Sequence, residues 1–234
     1  MTKSMALQRR FLADAAHELR SPLTALSLQA ERLASSDLSN QARQRLDALQ
    51  SGLHRSRQLL DQLLALARAQ ESDKGKASEI SVRHIAYQVI EDLMPLAQAK
   101  NIDLGMVGEQ DIHLTVAEID LKTLVKNLLD NAIRYTPCGG KIDLHVKNFI
   151  GKSILQIEDS GPGIPEDERE RIFDPFYRIL GNDEVGSGLG LSIVRAIADR
   201  LDAVITLGYV REQEKLGLRV SVEFPTQCLA TLTP

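Results

Sequence analysis

The sequence has few cysteines, no long apolar run and no excess of basic residues, and each shortage excludes a class of protein. Its two cysteines, Cys138 and Cys228, lie far apart and match no disulfide or zinc-site spacing, which fits a reducing compartment. Every apolar run is short and interrupted by charge, so we expect a soluble chain with neither a transmembrane helix nor a signal peptide. The formal net charge of -4 leaves no basic surplus to neutralise phosphates, which argues against direct nucleic-acid binding.

Glycine and proline are scarce in the N-terminal part of the chain. Between residues 5 and 71 the only glycine is Gly52 and the only proline is Pro22, and no strand pattern occurs, so helix is predicted. Two series of apolar residues recur at a spacing of seven: Leu12, Leu19, Leu26 and Leu33, then Leu46, Leu53, Leu60 and Ala67. The polar break SSDLSN separates them and offers Ser39 as an N-cap for the second helix. The pattern predicts two antiparallel helices joined by a short loop.

Such a hairpin has partner surface on only one side of each helix, so it cannot cover its own apolar seam. Dimerisation into a four-helix bundle is the natural completion. We therefore assign residues 1–71 to a helical hairpin and the polar residues 72–79 to a linker.

The sequence after residue 80 contains both helical and strand patterns. The chain of 234 residues is long enough for two small domains. Helices are predicted near residues 82–100, 120–135 and 189–201, and strands near 102–107, 112–116, 141–149, 153–160, 204–210 and 218–224. Helices with mostly antiparallel strands predict an α+β two-layer sandwich over residues 80–226, followed by a tail, 227–234.

The helix DLKTLVKNLLDNAIRYTP carries Asn127, Asn131 and Arg134 on a face different from that of its apolar residues. Two carboxamides one turn apart are candidate ligands. Taken alone, they are better explained as solvated polar positions.

Two glycine-containing motifs follow. EDSGPGIP places Asp159 at a strand end, where it can accept a hydrogen bond from a base amino group, with Gly161 and Gly163 in the turn after it. GSGLGLSIVRAIADRL has glycines at 186, 188 and 190 directly before a helix, an arrangement suited to cradling phosphates. Each motif alone is weak evidence, because a turn needs glycine anyway.

In this order the three motifs resemble the N, G1 and G2 boxes of the Bergerat-fold ATPases, which include histidine kinases and gyrase. RIFDPFYR, residues 171–178, is similar to the F box of histidine kinases, and HELRSPLTAL, which begins at His17, is similar to their H box. The resemblance covers most of the chain and identifies it as the core of a two-component sensor histidine kinase. RRFLADAAHELRSPLTAL is most similar to the QseC-type sensor kinases, which act with winged-helix response regulators.

The resemblance implies phosphoryl transfer from ATP to His17 and onward to an aspartate of a response regulator receiver domain. Glu18 would act as general base or orienting group. Ser21 occupies a position associated with phosphatase activity. Asn127 would ligate Mg²⁺. The implied nucleotide-binding residues are Asn127, Asn131, Arg134, Tyr135, Asp159, Gly161, Gly163, Phe173, Phe176, Gly186, Gly188, Leu189 and Gly190. The resemblance further implies a homodimer, and a cytoplasmic portion of an inner-membrane sensor.

Two other functions are compatible with parts of this pattern. A Bergerat ATPase that hydrolyses ATP to drive conformational change would use the nucleotide motifs and leave the H box idle. A scaffold that senses nucleotide and holds a receiver domain would need no chemistry. Appreciable ATP turnover without phosphoprotein would favour the first, and partner binding without ATP binding would favour the second.

The position of His17 on its helix is unusual. It lies about 140° from the leucine stripe at 100° per residue, and so faces out of the bundle. Pro22 lacks the amide hydrogen that would bond the Glu18 carbonyl, which breaks the helical ladder beside the proposed acceptor. We expect the helix to bend there, so that His17 meets the nucleotide domain in one state and the receiver in another.

Overall fold

The computed structural model describes residue 19 and residues 21–36, 38–69, 77–149, 152–179 and 186–225, and it divides into two compact units, 1–68 and 69–234. The proposed acceptor His17 and its neighbour Glu18 lie outside the described residues. Within the described ranges, no helix combines the length and the apolar character that a membrane span requires.

The described residues of the first unit form two helices joined by a short turn. Helix α1 covers residues 21–34 and helix α2 covers Asn40–Ala69. Ser39 caps α2 as expected, because its hydroxyl accepts a hydrogen bond from the Ala42 amide at 3.3 Å. Near the open end of the pair, Leu23 of α1 packs on Leu60 and Leu64 of α2, which makes the two helices an antiparallel hairpin.

The hairpin buries only part of its apolar seam. Ala30, Leu46 and Ala67 are buried, whereas Leu26, Leu33 and other seam residues remain about half exposed, Leu26 at 54%. A single copy of the hairpin thus leaves a leucine-rich face uncovered.

The second unit is an α+β two-layer sandwich, as predicted. Its elements are β1 Ser78–Ser81, α3 Val82–Ala99, β2 Asp103–Val107, β3 His113–Val116, α4 Glu118–Tyr135, β4 Lys141–Phe149, β5 Lys152–Asp159, α5 Gly190–Arg200, β6 Val204–Arg211 and β7 Leu216–Phe224. Two short 3-10 helices, Glu166–Glu168 and Arg171–Phe173, lie between β5 and α5.

Five strands form one sheet in the order β2-β4-β5-β7-β6. Only the β2–β4 pair is parallel. Alternate residues of β4 and β5, such as Ile142, Leu144 and Leu155, are buried under the helices. Helix α4 lies over β5, flanked by α3 near β2 and by α5 near β6. Its buried residues recur at helical spacing, as Leu121, Leu124 and Leu128 illustrate.

Strand β1 differs from the prediction. Ser78 and Glu79 were assigned to the linker, yet they begin a strand that pairs antiparallel with β3, with Ser78 opposite Val116. The segment is short and polar because it is held by main-chain pairing at a sheet edge, so it lacks the apolar alternation by which a strand is recognised.

Candidate nucleotide site

The carboxamides of α4 lie against the first turn of α5. A Cβ atom built on Gly190 would lie 3.3 Å from Asn127 Oδ1 and 3.4 Å from both polar atoms of the Asn131 amide. Both asparagines are half-buried. The two asparagines are therefore not isolated, solvated surface side chains. They lie against the amino end of a helix, where main-chain amides and the helix dipole attract anions.

Asn127 is oriented by its own helix. Its Nδ2 donates to the Thr123 carbonyl at 2.8 Å, which leaves Oδ1 on the side that faces Gly190. An amide oxygen is a suitable ligand for Mg²⁺, which usually takes one or two protein oxygens and completes its shell with phosphate and water. No cluster of three or more His, Cys, Asp or Glu residues with metal-binding geometry occurs in the described part of the chain. The residues at this position therefore fit a Mg²⁺ that arrives with its phosphates.

Arg134 brings positive charge to the same end of α4. Its guanidinium is held by Asp130 one turn earlier, Nη2 to Oδ2 at 2.9 Å. Asp130 therefore acts on the site through Arg134. Arg134 Nη1 would lie 2.9 Å from a Cβ on Gly186, so the main chain before α5 passes directly beside this cation. Leu189, the residue before α5, is fully buried and fixes the start of the helix.

Asp159 forms a second, more enclosed part of the site at the end of β5. It is 6% exposed, and its Oδ1 accepts hydrogen bonds from the Gly161 amide at 2.8 Å and the Leu218 amide at 3.2 Å. Burial raises the pKa of this carboxyl, and the two amides partly oppose the shift. Within the described residues Oδ2 accepts no hydrogen bond, so it is available to a ligand.

The turn after Asp159 has no room for side chains. A Cβ on Gly161 would lie 2.9 Å from the Tyr135 carbonyl oxygen at the end of α4. Gly163 has φ +74°, and a Cβ there would lie 2.7 Å from the Tyr209 ring. This turn therefore packs directly under the end of α4 and brings Asp159 into the same region as the asparagines.

The aromatic residues of the segment between β5 and α5 are not core residues. Phe176 is 61% exposed and has φ 67°, and its amide donates to the Gly188 carbonyl at 3.0 Å. Gly188 itself has φ +73°. Phe173 lies under the Arg195 guanidinium, 4.9 Å from its ring centroid. Phe173 and Phe176 thus lie against α5 and the main chain that directly precedes it.

Some residues that shape the site carried no sequence signal. The Leu218 amide comes from β7, and the Gly217 amide donates to the Gly161 carbonyl at 2.8 Å. Lys100 binds the end of α4 through the Arg134 carbonyl at 2.5 Å. A glycine within the β7 pattern was the only available sign of this close approach. Ser21, an exposed residue of α1, belongs to the other unit.

The comparisons with known proteins agree with this architecture. A family model described as "Histidine kinase-, DNA gyrase B-, and HSP90-like ATPase" matches residues 116–227, and one described as "His Kinase A (phospho-acceptor) domain" matches residues 7–72. Among solved structures, the catalytic domain of the histidine kinase ThkA is 28% identical, with a TM-score of 0.56 over 64% of this chain and 95% of that one. Full-length ShkA in complex with AMPPNP shares the fold at 24% identity, with a TM-score of 0.80 over 96% of this chain and 47% of that one.

Curated relatives carry sensor-kinase names. The sensor protein QseC of Escherichia coli strain K12 is 43% identical over 199 residues, which cover 83% of this chain and 43% of QseC. The sensor protein kinase PmrB of Pseudomonas aeruginosa is 35% identical over 235 residues, which cover 99% of this chain and 48% of PmrB. The chain thus spans less than half the length of these relatives. With the phosphoacceptor and ATPase domains both matched, in that order, the chain belongs to the sensor histidine kinase family.

Proposed function

We propose that this chain is a protein histidine kinase that transfers the γ-phosphoryl group of ATP to His17 and then to an aspartate of a response regulator. The proposal rests on one observation. Asn127 and Asn131 lie against the amino end of α5 at Gly190, and the enclosed carboxylate of Asp159 lies beside them. We call the part formed by Asn127, Asn131 and Gly190 the phosphate end of the site, and the part around Asp159 the base end.

At the base end, Asp159 recognises adenine. Its Oδ1 is occupied by two main-chain amides, and Oδ2 accepts a hydrogen bond from the exocyclic amino group of the base. Gly161 and Gly163 allow the ring to approach the main chain. Tyr135 closes the same side of the pocket, since its carbonyl lies against Gly161.

At the other end, the amino end of α5 and the segment that precedes it bind the phosphates. The residues assigned to this role are Gly186, Gly188, Leu189 and Gly190, with Asn131 and Arg134 from α4 and with Phe173 and Phe176 from the segment between β5 and α5. Asn127 would hold Mg²⁺, and the bound ion would supply positive charge beside the phosphates. Positioning and charge neutralisation suffice here, because phosphoryl transfer needs little covalent help from the protein.

At the acceptor, an imidazole nitrogen of His17 attacks the γ-phosphorus, the bond to the bridging oxygen of ADP breaks, and ADP leaves with that electron pair. Glu18 accepts a hydrogen bond from the other ring nitrogen, which fixes the tautomer and keeps the lone pair of the attacking nitrogen available. The receiver aspartate then takes the phosphoryl group from His17.

The proposal extends to the partners and setting of the chain. The exposed leucine face of the hairpin supports a homodimer that forms a four-helix bundle. The response regulator would carry a winged-helix output domain. Ser21 would position water for dephosphorylation of that regulator. The parent protein would be an inner-membrane sensor whose cytoplasmic portion contains this chain.

Incubation with γ-labelled ATP and Mg²⁺ tests the proposal. The chain should acquire an acid-labile, base-stable phosphate. His17→Gln should abolish the label, whereas His54→Gln, a matched change at an exposed histidine of α2, should keep it. Equal labelling of wild type and His17→Gln would refute the assignment. ATP turnover without any phosphoprotein would point to an ATPase instead.

A further inference from the structure

A largely buried ion pair joins the two helices that border the proposed nucleotide site. Asp120 lies in the first turn of α4, and Arg200 is the last residue of α5. Their side chains are bonded to each other and are 13% and 12% exposed, respectively. Each charge also has the favourable sign for its helix end, negative at an amino end and positive at a carboxyl end.

The pair lies at the opposite end of the α4–α5 contact from the site. The first residue of α5, Gly190, meets Asn127 and Asn131, whereas its last residue meets Asp120. The helices are therefore antiparallel, and about 15 Å of helix separates the ion pair from the phosphate end. The eleven residues from Gly190 to Arg200 match a similar length of α4.

Among the described residues, the other buried residues of α5 make no hydrogen bond or ion pair to α4. They are Ile193, Val194, Ile197 and Ala198, together with Ser192, whose hydroxyl donates to the Leu189 carbonyl of its own chain segment. Contact between apolar side chains is not directional. A slip of one residue would move Gly190 about 1.5 Å along α4.

A buried ion pair seldom stabilises a protein more than a well-packed apolar pair does, and its best-attested role is to specify register. We propose that Asp120 and Arg200 are positioning residues that set the axial register of α5 on α4 and so hold the phosphate-binding turn opposite Asn127 and Asn131. This inference rests on the nucleotide site proposed above.

The test replaces the pair by apolar residues of similar volume, Asp120→Leu with Arg200→Met. The matched control, Lys122→Met with Asp92→Leu, removes an exposed pair of 3.4 Å between α4 and α3. Thermal melting reports folding. Binding of Mg-ATP, measured by calorimetry, reports the phosphate end, and binding of adenosine, measured by NMR titration, reports the base end.

We expect the double variant to melt near the wild-type temperature and to bind adenosine as the wild type does. Its affinity for Mg-ATP should fall by about ten- to a hundredfold, because a main-chain amide displaced from its place loses its hydrogen bond to a charged phosphate. The control should bind both ligands normally. If the double variant does not fold, Arg200→Lys takes its place, because lysine keeps the positive charge on a side chain of different length and geometry. Its affinities for Mg-ATP and adenosine are then compared in the same way.

Two results would overturn the inference: Mg-ATP affinity within twofold of wild type in the folded variant, or a parallel loss of Mg-ATP and adenosine binding, which would indicate general loosening. A wild-type chain that binds neither ligand would refute the nucleotide site itself, and the inference with it.

Discussion

Replacing Asp159 by asparagine should change which base the site accepts. Asparagine has the same shape, and its Oδ1 can keep the hydrogen bonds from the Gly161 and Leu218 amides at 2.8 and 3.2 Å. The second position then carries an NH₂ group in place of an oxygen acceptor. That group would point its hydrogens at the amino group of adenine, which also donates.

The size of the expected loss of ATP affinity in Asp159→Asn follows from the burial of this side chain. An unpaired buried donor costs about 1–3 kcal/mol, which corresponds to roughly 5- to 150-fold in the dissociation constant of ATP. Inosine triphosphate presents a carbonyl where adenine has its amino group, so it should bind Asp159→Asn better than it binds the wild type. Calorimetry with both nucleotides measures the two changes.

The melting temperature of Asp159→Asn shows whether a change in its nucleotide affinity comes from altered recognition or from altered folding. Burial raises the folded-state pKa of Asp159 above its unfolded value, so the folded state binds more protons than the unfolded state. The contribution of Asp159 is therefore favourable at low pH and is lost as pH rises through its raised pKa. Asp159→Asn removes this dependence, and its melting temperature at neutral pH should equal or exceed that of the wild type.

Glu158→Gln is the matched control, because Glu158 precedes Asp159 on β5 but bonds to Arg219 at 2.6 Å instead of facing the site. It should leave the preference between the two nucleotides unchanged. ATP affinity within twofold of wild type for Asp159→Asn, with no gain for inosine triphosphate, would refute the assigned role.

Three further predictions concern other parts of the chain. Gly163→Ala should lower the free energy of unfolding by about 2–4 kcal/mol in denaturant titrations, since it combines a left-handed backbone with a Cβ 2.7 Å from the Tyr209 ring; Gly105→Ala, with open space around it, should not. Lys100→Met should cost about 2 kcal/mol by the same measurement, because the ammonium group donates to three carbonyls at the end of α4; an unchanged midpoint would contradict this. Pro22→Ala restores a helical amide beside the proposed acceptor, so it should alter the ratio of autophosphorylation to receiver dephosphorylation more than it alters the melting temperature; an unaltered ratio would count against the bend.

Much of the fold was predictable because its signals are local. The apolar spacing of α4 and the alternation in β4 and β5 reflect burial on one face, which sequence periodicity records directly. The candidate residues Asn127 and Asp159 were also identifiable, since each lies in a motif of a few neighbouring residues.

What was missed depends on contacts between distant parts of the chain. Strand β1 exists through main-chain pairing with β3, which leaves no mark on its side chains. The Leu218 amide reaches Asp159 from 59 residues away. Asp120 and Arg200 each read as ordinary charged residues at helix ends, and only the packing of α5 on α4 brings them together. Such pairings are set by tertiary structure, and the sequence pattern of a single helix or strand does not record them.

In the proposed reaction, the nucleotide site of this chain phosphorylates His17. Mass spectrometry of the intact chain after reaction with Mg-ATP, followed by peptide mapping at neutral to basic pH, tests it most directly. The expected product carries one phosphoryl group per reacted chain, located on the His17 imidazole, and Asn127→Ala should carry none. A phosphoryl group on any other residue, or ATP consumed with the chain unmodified, would contradict it.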